Sequence, residues 1–69
     1  MKLSARNQIP AKVIGITAGE ATANIELDAC GSRLVASITV EAANELKLAP
    51  GSEVVVIIKA SDVIVAVAD

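Results

Sequence analysis

Strict alternation of apolar and polar side chains over residues 21–29 is the feature that most restricts the fold of this chain. Every second residue from Ala21 to Ala29 is apolar, and the residues between them are Thr, Asn, Glu and Asp. Because successive side chains of a strand point to opposite faces of a sheet, this pattern predicts a strand with one buried and one solvated face. Turn residues 30–32 follow, and residues 33–39 return as the next strand of a hairpin. An antiparallel sheet is therefore predicted.

One helix is predicted, over residues 40–48. Thr39 precedes it as the N-cap, Glu41 falls in its first turn and Lys47 in its last, as the helix dipole prefers. Pro50-Gly51 then ends the helix in a turn, because Pro fixes its own φ and Gly accepts the positive φ that many turns require. The inner face of this helix is predicted to carry Ala42, Ala43 and Leu46.

The remaining strands are predicted over residues 12–16, 53–59 and 63–67. The last two carry Val and Ile on both faces, whereas one face of a small antiparallel sheet normally meets water. We therefore expect another copy of the chain to cover the outer face, with a closed barrel and scattered exposed valines as the alternative. Five strands with a helix between the third and the fourth predict an all-β fold, an OB-like Greek-key barrel, as one domain over residues 1–69.

Composition excludes much common chemistry. The chain has 69 residues with no His, one Cys and no aromatic side chain, so an ordinary zinc site and Ser-His or Cys-His nucleophile pairs are excluded. Six Lys and Arg against eight Asp and Glu give a formal net charge of −2. A general binder of nucleic acid or of anionic membranes is expected to carry a basic surplus, so neither partner is expected.

Chain length and the N-terminal sequence bear on the oligomeric state and the cellular compartment. A domain of this length supports only a small core, and with no zinc site or disulfide framework available, oligomerisation is the remaining device for stability, so we expect a homo-oligomer. Residues 1–8 lack the apolar stretch of a signal peptide, and no apolar run approaches the length of a bilayer span. Together with the unpaired Cys30, these features predict a cytoplasmic protein.

Three polar clusters are candidates for a functional site. They are residues 4–8, the pair Ser37 and Thr39, and residues 59–62. A solvated terminus, helix capping and an ordinary turn are the plain interpretations of the three. Taken together they offer two cations, several hydroxyl groups and the free N–H groups of turns, which suits a small oxyanion without any acid–base step. Phosphate, sulfate, carboxylate and larger tetrahedral oxyanions all remain open on this reasoning.

The sequence resembles the molbindins, a family of small cytoplasmic proteins that bind molybdate and tungstate. The resemblance begins with Met-Lys-Leu-Ser-Ala-Arg-Asn-Gln at residues 1–8 and continues in register through the Gly19 turn, residues 34–39, 48–51 and 56–61. The resemblance covers essentially the whole chain. The same sequence is also similar to the oxyanion-binding domains of molybdate-responsive repressors and of some transporter ATPases. The resemblance implies a single domain of the Mop or TOBE type that assembles as a hexamer, a trimer of dimers. Oxyanions would be held between subunits.

The resemblance also implies a site. Its residues are Ser4, Arg6, Thr39, Lys59, Ala60 and Ser61, with Ala5 and Asn7 as main-chain contributors or supports. The implied function is binding, storage and homeostasis of molybdate or tungstate as a bound ligand, with no organic cofactor, no catalytic residue and no metal held other than as its oxyanion. Molybdate is a dianion at neutral pH, so an all-donor pocket favours it over hydrogen phosphate, whose proton needs an acceptor.

Two other classes of function remain as alternatives. Residues 44–56 are similar to a segment of the swapped-hairpin transcription factors, in which a helix, Pro-Gly and a valine strand follow one another. Those regulators carry a clustered basic face, whereas the six cations of this chain are spread over its length. A structural or regulatory subunit with an incidental anion site is the other alternative. An enzyme is not expected, because no acid partner or activated nucleophile accompanies Lys59.

Overall fold

The computed structural model describes all 69 residues, Met1–Asp69. Its regular elements are the strands β1 (Asn7–Ala18), β2 (Thr22–Ala29), β3 (Ser32–Thr39) and β4 (Glu53–Ile58), the helix α1 (Val40–Glu45) and a 3₁₀ turn (Ala60–Asp62). The fold is thus mainly β with one short helix, as predicted. No helix is long and apolar enough to cross a membrane.

The four strands form one antiparallel sheet in the order β3-β2-β1-β4. β1 lies between β2 and β4 and pairs with them along different halves: its residues 7–12 face β4 and its residues 12–18 face β2. The register of the β1–β2 pair shifts between Val13 and Gly15. A bulge of this kind bends a strand and increases its twist, which lets one long strand serve two neighbours that diverge. β3 and β4 are left as the two edges of the sheet.

The core follows the alternation seen in the sequence. Ala23, Ile25, Leu27 and Ala29 of β2 are all buried, and the residues between them face outward. Val13 is the only buried residue of β1, and Ala43 the only one of α1. Only six of the 69 residues are buried in total. A single chain therefore fully buries few of its apolar side chains, in agreement with the expectation that size limits the core.

The β2–β3 hairpin turns at Cys30-Gly31. Both residues have positive φ, 53° and 92°, as the two central residues of a tight hairpin turn require. The Gly31 N–H donates to Asp28 Oδ1 at 2.9 Å and closes the turn. Cys30 is exposed and unpaired. The predicted hairpin is confirmed, with β2 and β3 in continuous register from Thr22↔Thr39 to Ala29↔Ser32.

The helix is shorter than predicted. It begins as expected, since the Ala42 N–H donates to Thr39 Oγ1 at 3.0 Å, but it ends at Glu45 rather than at residue 48. Lys47 has φ 53°, which places it outside the helix, so the predicted cation in the last turn is wrong. Leu46 is 66% exposed and does not face the core. The left-handed conformation of Lys47 directs the chain toward Pro50-Gly51, so the helix ends about one turn before the predicted position.

Two strand boundaries also differ from the prediction. β1 begins at Asn7, five residues before the predicted start, because Asn7 to Ala11 find partners on β4 that the local pattern of the sequence does not reveal. The predicted fifth strand over residues 63–67 is wrong for the single chain, which has four strands. The segment pairs with no strand: its one main-chain hydrogen bond runs from the Val63 N–H to the Ala60 carbonyl, and Ile64, Val65 and Val67 are 85–92% exposed. A strand needs a neighbour to satisfy its N–H and C=O groups, and here it has none.

The sheet accordingly does not close into a barrel within one chain. An apolar groove of about 210 Å³ runs between the two edge strands, lined by Ala36 and Ile38 of β3 and by Val54 and Val56 of β4, among others. Leu46 and Leu48 of the segment after α1 lie at the same groove. The five-stranded closed barrel predicted from the sequence is therefore incomplete by one strand, at the position where β3 and β4 would meet.

Candidate functional site

Pairing of β1 with β4 brings two of the three polar clusters together. Asn7, the first residue of β1, pairs with Ile58, the last residue of β4. The segment 4–6 therefore leaves the sheet beside the segment 59–61, although more than fifty residues separate them in sequence. The Asn7 side chain reinforces this junction by donating from Nδ2 to the Ile58 carbonyl at 3.1 Å. Ser4, Ala5, Arg6, Lys59, Ala60 and Ser61 all lie at this end of the sheet.

The Arg6 guanidinium organises the first of these segments. Its Nε donates to the Ser4 carbonyl at 3.0 Å, and one Nη donates to the Leu3 carbonyl at 3.4 Å. A guanidinium has five N–H donors, so three are left for another partner. The Ser4 hydroxyl makes no hydrogen bond within the chain. Hydrogen bonds to the main chain of residues 3–4 thus hold the Arg6 guanidinium in place, and its remaining N–H groups and the Ser4 hydroxyl are free to donate.

The second segment is a 3₁₀ turn that follows β4 directly. The Asp62 N–H donates to the Lys59 carbonyl at 2.9 Å, which closes the turn. The N–H groups of Lys59, Ala60 and Ser61 have no acceptor within the chain, and the Ser61 hydroxyl is also free. Asp62 is the only carboxylate in the two segments, and no ion pair joins it to Lys59 or Arg6. Apart from Asp62, the cluster consists of donors.

Thr39 ends the opposite edge strand and is not joined to this cluster. It pairs with Thr22 of β2, and no hydrogen bond connects it with Arg6, Lys59 or Ser61. Its hydroxyl oxygen accepts from the Ala42 N–H, so the capping interpretation of Thr39 is correct. A hydroxyl has one donor besides its lone pairs, so capping leaves its O–H free to donate.

Electrostatics at the junction favour an anion. The chain has one ion pair, between Arg33 and Glu26 on the outer face of the sheet, and therefore Arg6 and Lys59 have no carboxylate partner. No group of three or more His, Cys, Asp or Glu side chains is placed to hold a metal cation. The open cavities of the single chain are lined by other residues than those of the cluster. Within one chain, the donors converge at an exposed sheet end and not in an enclosed pocket.

Gln8 is a further member of the cluster that the sequence argument did not place in the site. Its Nε2 donates to the Ala5 carbonyl at 3.0 Å, within the segment that carries Arg6. The signal was present in the sequence, because Gln8 is the last residue of the Ser-Ala-Arg-Asn-Gln motif. Its role is visible only in the structure, where its amide is seen to bind the main chain rather than to point away from it.

Comparison with known proteins identifies the family. The sequence model of the TOBE domain matches residues 3–65. A probable molybdenum-pterin-binding protein of Haemophilus influenzae is 41% identical over 68 residues, which are 97% of this chain and 99% of the relative. The solved structure of a molybdate-binding protein from Sporomusa ovata superposes with a TM-score of 0.91 at 39% identity, covering 96% of this chain and 98% of that one.

A second similar structure is that of a longer chain. The cytoplasmic molybdate-binding protein ModG, solved with molybdate bound, superposes with a TM-score of 0.84 at 39% identity, and the match covers 87% of this chain but 43% of that one. The family model spans nearly all of the present chain, and the matched Haemophilus and Sporomusa proteins are similar over almost their whole length. This chain therefore belongs to the TOBE domain family and, within it, to the molbindins.

Proposed function

We propose that this protein binds and stores molybdate or tungstate as intact oxyanions, without catalysis and without an organic cofactor. One observation carries the proposal: Arg6 and Lys59, two cations without carboxylate partners, lie at the joined ends of β1 and β4 among unpaired N–H and hydroxyl donors. Such a set binds an oxyanion by charge-assisted hydrogen bonds and supplies no nucleophile or proton relay. The molybdate-binding relatives support this ligand class.

Donor chemistry supports selection of a fully deprotonated anion. Molybdate and tungstate accept hydrogen bonds at every oxygen, whereas hydrogen phosphate carries a proton that needs an acceptor. A pocket of N–H and O–H donors would leave that proton unpaired, at a cost of about 1–3 kcal/mol. Sulfate has the same charge as molybdate and is smaller, so its rejection would depend on the dimensions of the assembled pocket.

Incompleteness of the single chain supports a pocket between subunits. Thr39 belongs to one edge strand and the Arg6–Lys59 junction to the other, and the apolar groove separates the two edges. The apolar segment 63–67 is exposed and pairs with no strand of the same chain. We propose that a second copy supplies this segment as the missing strand, and that six copies assemble as a trimer of dimers. Closure of the gap by a partner would bury the groove and enclose the donors.

The cellular setting follows from the same reasoning. We propose a cytoplasmic protein whose residues 1–69 form one oxyanion-binding domain and which serves storage and homeostasis of the anion. The one similar protein described above as cytoplasmic is itself a molybdate binder. Swapped-hairpin DNA binding gains no support, since the six cations are spread along the sequence and one of them, Arg33, is paired with Glu26.

Native mass spectrometry with and without molybdate tests the proposal. We expect a hexamer that gains whole molybdate units and ignores sulfate at the same concentration. Tungstate should add in the same number, because it has the same charge and nearly the same size. A monomer or dimer that gains no mass would contradict both the ligand and the assembly, and steeply salt-dependent binding to duplex DNA would then favour the regulator alternative.

Thr39→Asp is expected to separate capping from anion binding. Aspartate is as good an N-cap as threonine, so the free energy of unfolding should change by less than about 1 kcal/mol. The carboxylate, however, has no hydrogen to donate and repels a dianion, so molybdate affinity should fall by about tenfold or more. Thr39→Ser keeps both the cap and the O–H and is the control. Titration calorimetry and chemical denaturation of both variants measure the two effects; unchanged affinity in Thr39→Asp would remove Thr39 from the site.

Asp62→Asn is expected to have a smaller effect of opposite sign. The substitution removes the only carboxylate of the two segments while keeping the size of the side chain. Since an exposed charge several ångströms from a dianion repels it by about 1 kcal/mol or less, affinity for molybdate should rise by up to about fivefold. The gain should shrink as salt is raised from 50 to 500 mM. Glu20→Gln, which removes a carboxylate from the β1–β2 turn and also keeps the size of the side chain, is the matched control; an equal gain there would indicate a general charge effect.

A further inference from the structure

Arg6, Asn7 and Gln8 form an unbroken run in which every side chain donates to a main-chain carbonyl. Arg6 Nε bonds the Ser4 carbonyl at 3.0 Å, Asn7 Nδ2 the Ile58 carbonyl at 3.1 Å and Gln8 Nε2 the Ala5 carbonyl at 3.0 Å. Side chains at three consecutive positions thus hold three peptide units. Two of these units belong to the N-terminal segment, and the third is the one by which the chain leaves β4.

Each held peptide unit also carries an N–H group that has no partner. In a trans peptide the C=O and the N–H that follows it point in opposite directions. The N–H groups concerned are those of Ala5, Arg6 and Lys59, all of which lie outside the strands and helices. None of the three donates to any acceptor within the chain. Fixing a carbonyl on one side therefore fixes a free donor on the other.

Orientation of these peptides decides the sign of the dipole that an anion would meet. A peptide turned one way presents an N–H, which attracts an oxyanion, and turned the other way presents a carbonyl oxygen, which repels it. Peptides inside β1 and β4 are held by the sheet, but the pairing of these strands ends at Asn7 and Ile58. Beyond that rung the Ser4–Ala5 and Ala5–Arg6 peptide planes are held by side-chain bonds alone, and at the rung itself the Asn7 side chain adds a bond to the Ile58 carbonyl.

We infer that Asn7 and Gln8 are positioning residues of the anion site: by binding the Ile58 and Ala5 carbonyls, they turn the Lys59 and Arg6 N–H groups outward as donors for the oxyanion. The inference rests on the proposed function and deepens it. Gln8 contributes no atom to the anion, and Asn7 acts through the Lys59 peptide. Arg6 both positions the main chain and binds the ligand, since it holds the Ser4 carbonyl and keeps three N–H groups for an anion.

Amide spectra of ¹⁵N-labelled protein test the inference residue by residue. In the wild-type protein we expect molybdate to shift the amide protons of Arg6 and Lys59 downfield, as hydrogen bonding to a dianion does. Gln8→Met, which removes the donor at similar size, should abolish the shift at Arg6 and keep the one at Lys59. Asn7→Leu should do the reverse. Each variant should bind molybdate about tenfold more weakly, the loss of roughly one charge-assisted hydrogen bond.

Controls separate positioning from folding. Asn24→Leu changes an exposed asparagine of β2 that makes no side-chain hydrogen bond, and it should keep both amide shifts and the affinity. Gln8→Ala and Asn7→Ala remove the donor without adding a charge that would repel the anion, and they serve if the larger apolar variants fail to fold. Selective loss of one amide shift, with assembly mass unchanged, supports positioning. Variants that bind and shift as the wild type does would overturn it, while a wild-type protein that takes up no molybdate would overturn the proposed function as well.

Discussion

Arg6→Ala is expected to weaken molybdate binding by about 10- to 100-fold. The substitution removes a cation without a carboxylate partner and the N–H donors that it keeps free for a ligand. A hydrogen bond to a charged group contributes about 1.5–3 kcal/mol, so the net loss of one such bond accounts for this factor. The substitution also releases the Ser4 and Leu3 carbonyls, which Arg6 holds in the segment that carries the site. Titration calorimetry with molybdate and tungstate measures the loss.

Lys12→Ala is the matched control for charge. Lys12 is an exposed cation in the middle of β1, where its register neighbours are Asp28 of β2 and Glu53 of β4, and it lies away from the junction. The Lys12→Ala variant should bind molybdate with an affinity within about twofold of the wild-type value. Arg6→Lys should fall between the two, because it keeps the charge but lacks the planar fork that holds the main-chain carbonyls. Equal losses in Arg6→Ala and Lys12→Ala would contradict the assignment of the site.

Deletion of residues 63–69 is expected to abolish assembly. Ile64, Val65 and Val67 are almost fully exposed in the single chain, and burying each such side chain contributes about 1.5–3 kcal/mol. Their combined contribution, roughly 5–9 kcal/mol before the cost of ordering the segment, is comparable with the whole stability of a small domain. The truncated protein should sediment as a monomer, unfold at markedly lower temperature and bind no molybdate.

A charge change in the same segment provides the control for this deletion. Asp69→Lys changes the charge of the segment but removes no apolar side chain, so it should assemble as the wild type does. The double variant Ile64→Glu/Val65→Glu keeps the length of the chain and places a charge on each face of the extended segment, so at least one would be buried by strand pairing. It should dissociate the oligomer. A hexamer that survives both the deletion and the double substitution would show that the segment does not complete the barrel of a partner.

Local patterns predicted the elements whose cause is local. The alternation over residues 21–29 predicted β2 and its buried face, the Cys30-Gly31 pair predicted the hairpin turn, and Thr39 predicted the start of α1. Each of these features depends on side-chain periodicity, on a positive φ or on one capping hydrogen bond between residues close in sequence. The end of the helix was missed because Lys47, which has no glycine-like freedom, nevertheless adopts a left-handed conformation.

Features that depend on distant partners were decided by the tertiary structure. Residues 7–11 were not predicted as a strand, and Asn7 and Gln8 were assigned to a polar cluster, yet these residues form the first part of β1 because β4 lies beside them. Residues 63–67 were predicted as a strand, yet they form none because they pair with neither edge strand of the single chain. A strand is stable only where a second strand satisfies its main-chain groups, and that partner lies far away in sequence or in another copy.

Some features of the candidate site were likewise set by the sequence alone, and others only by the tertiary structure. By itself the sequence determined which side chains are available to bind an anion, since the identities of Ser4, Arg6, Thr39, Lys59 and Ser61 set their charge and their donors. Tertiary structure decided that the β1–β4 pairing joins two of the three clusters, that Thr39 belongs to the opposite edge, and that Asn7 and Gln8 bind main-chain carbonyls. The physical reason is that chemical character resides in single residues, whereas the direction of a hydrogen bond depends on where the rest of the chain places its partner.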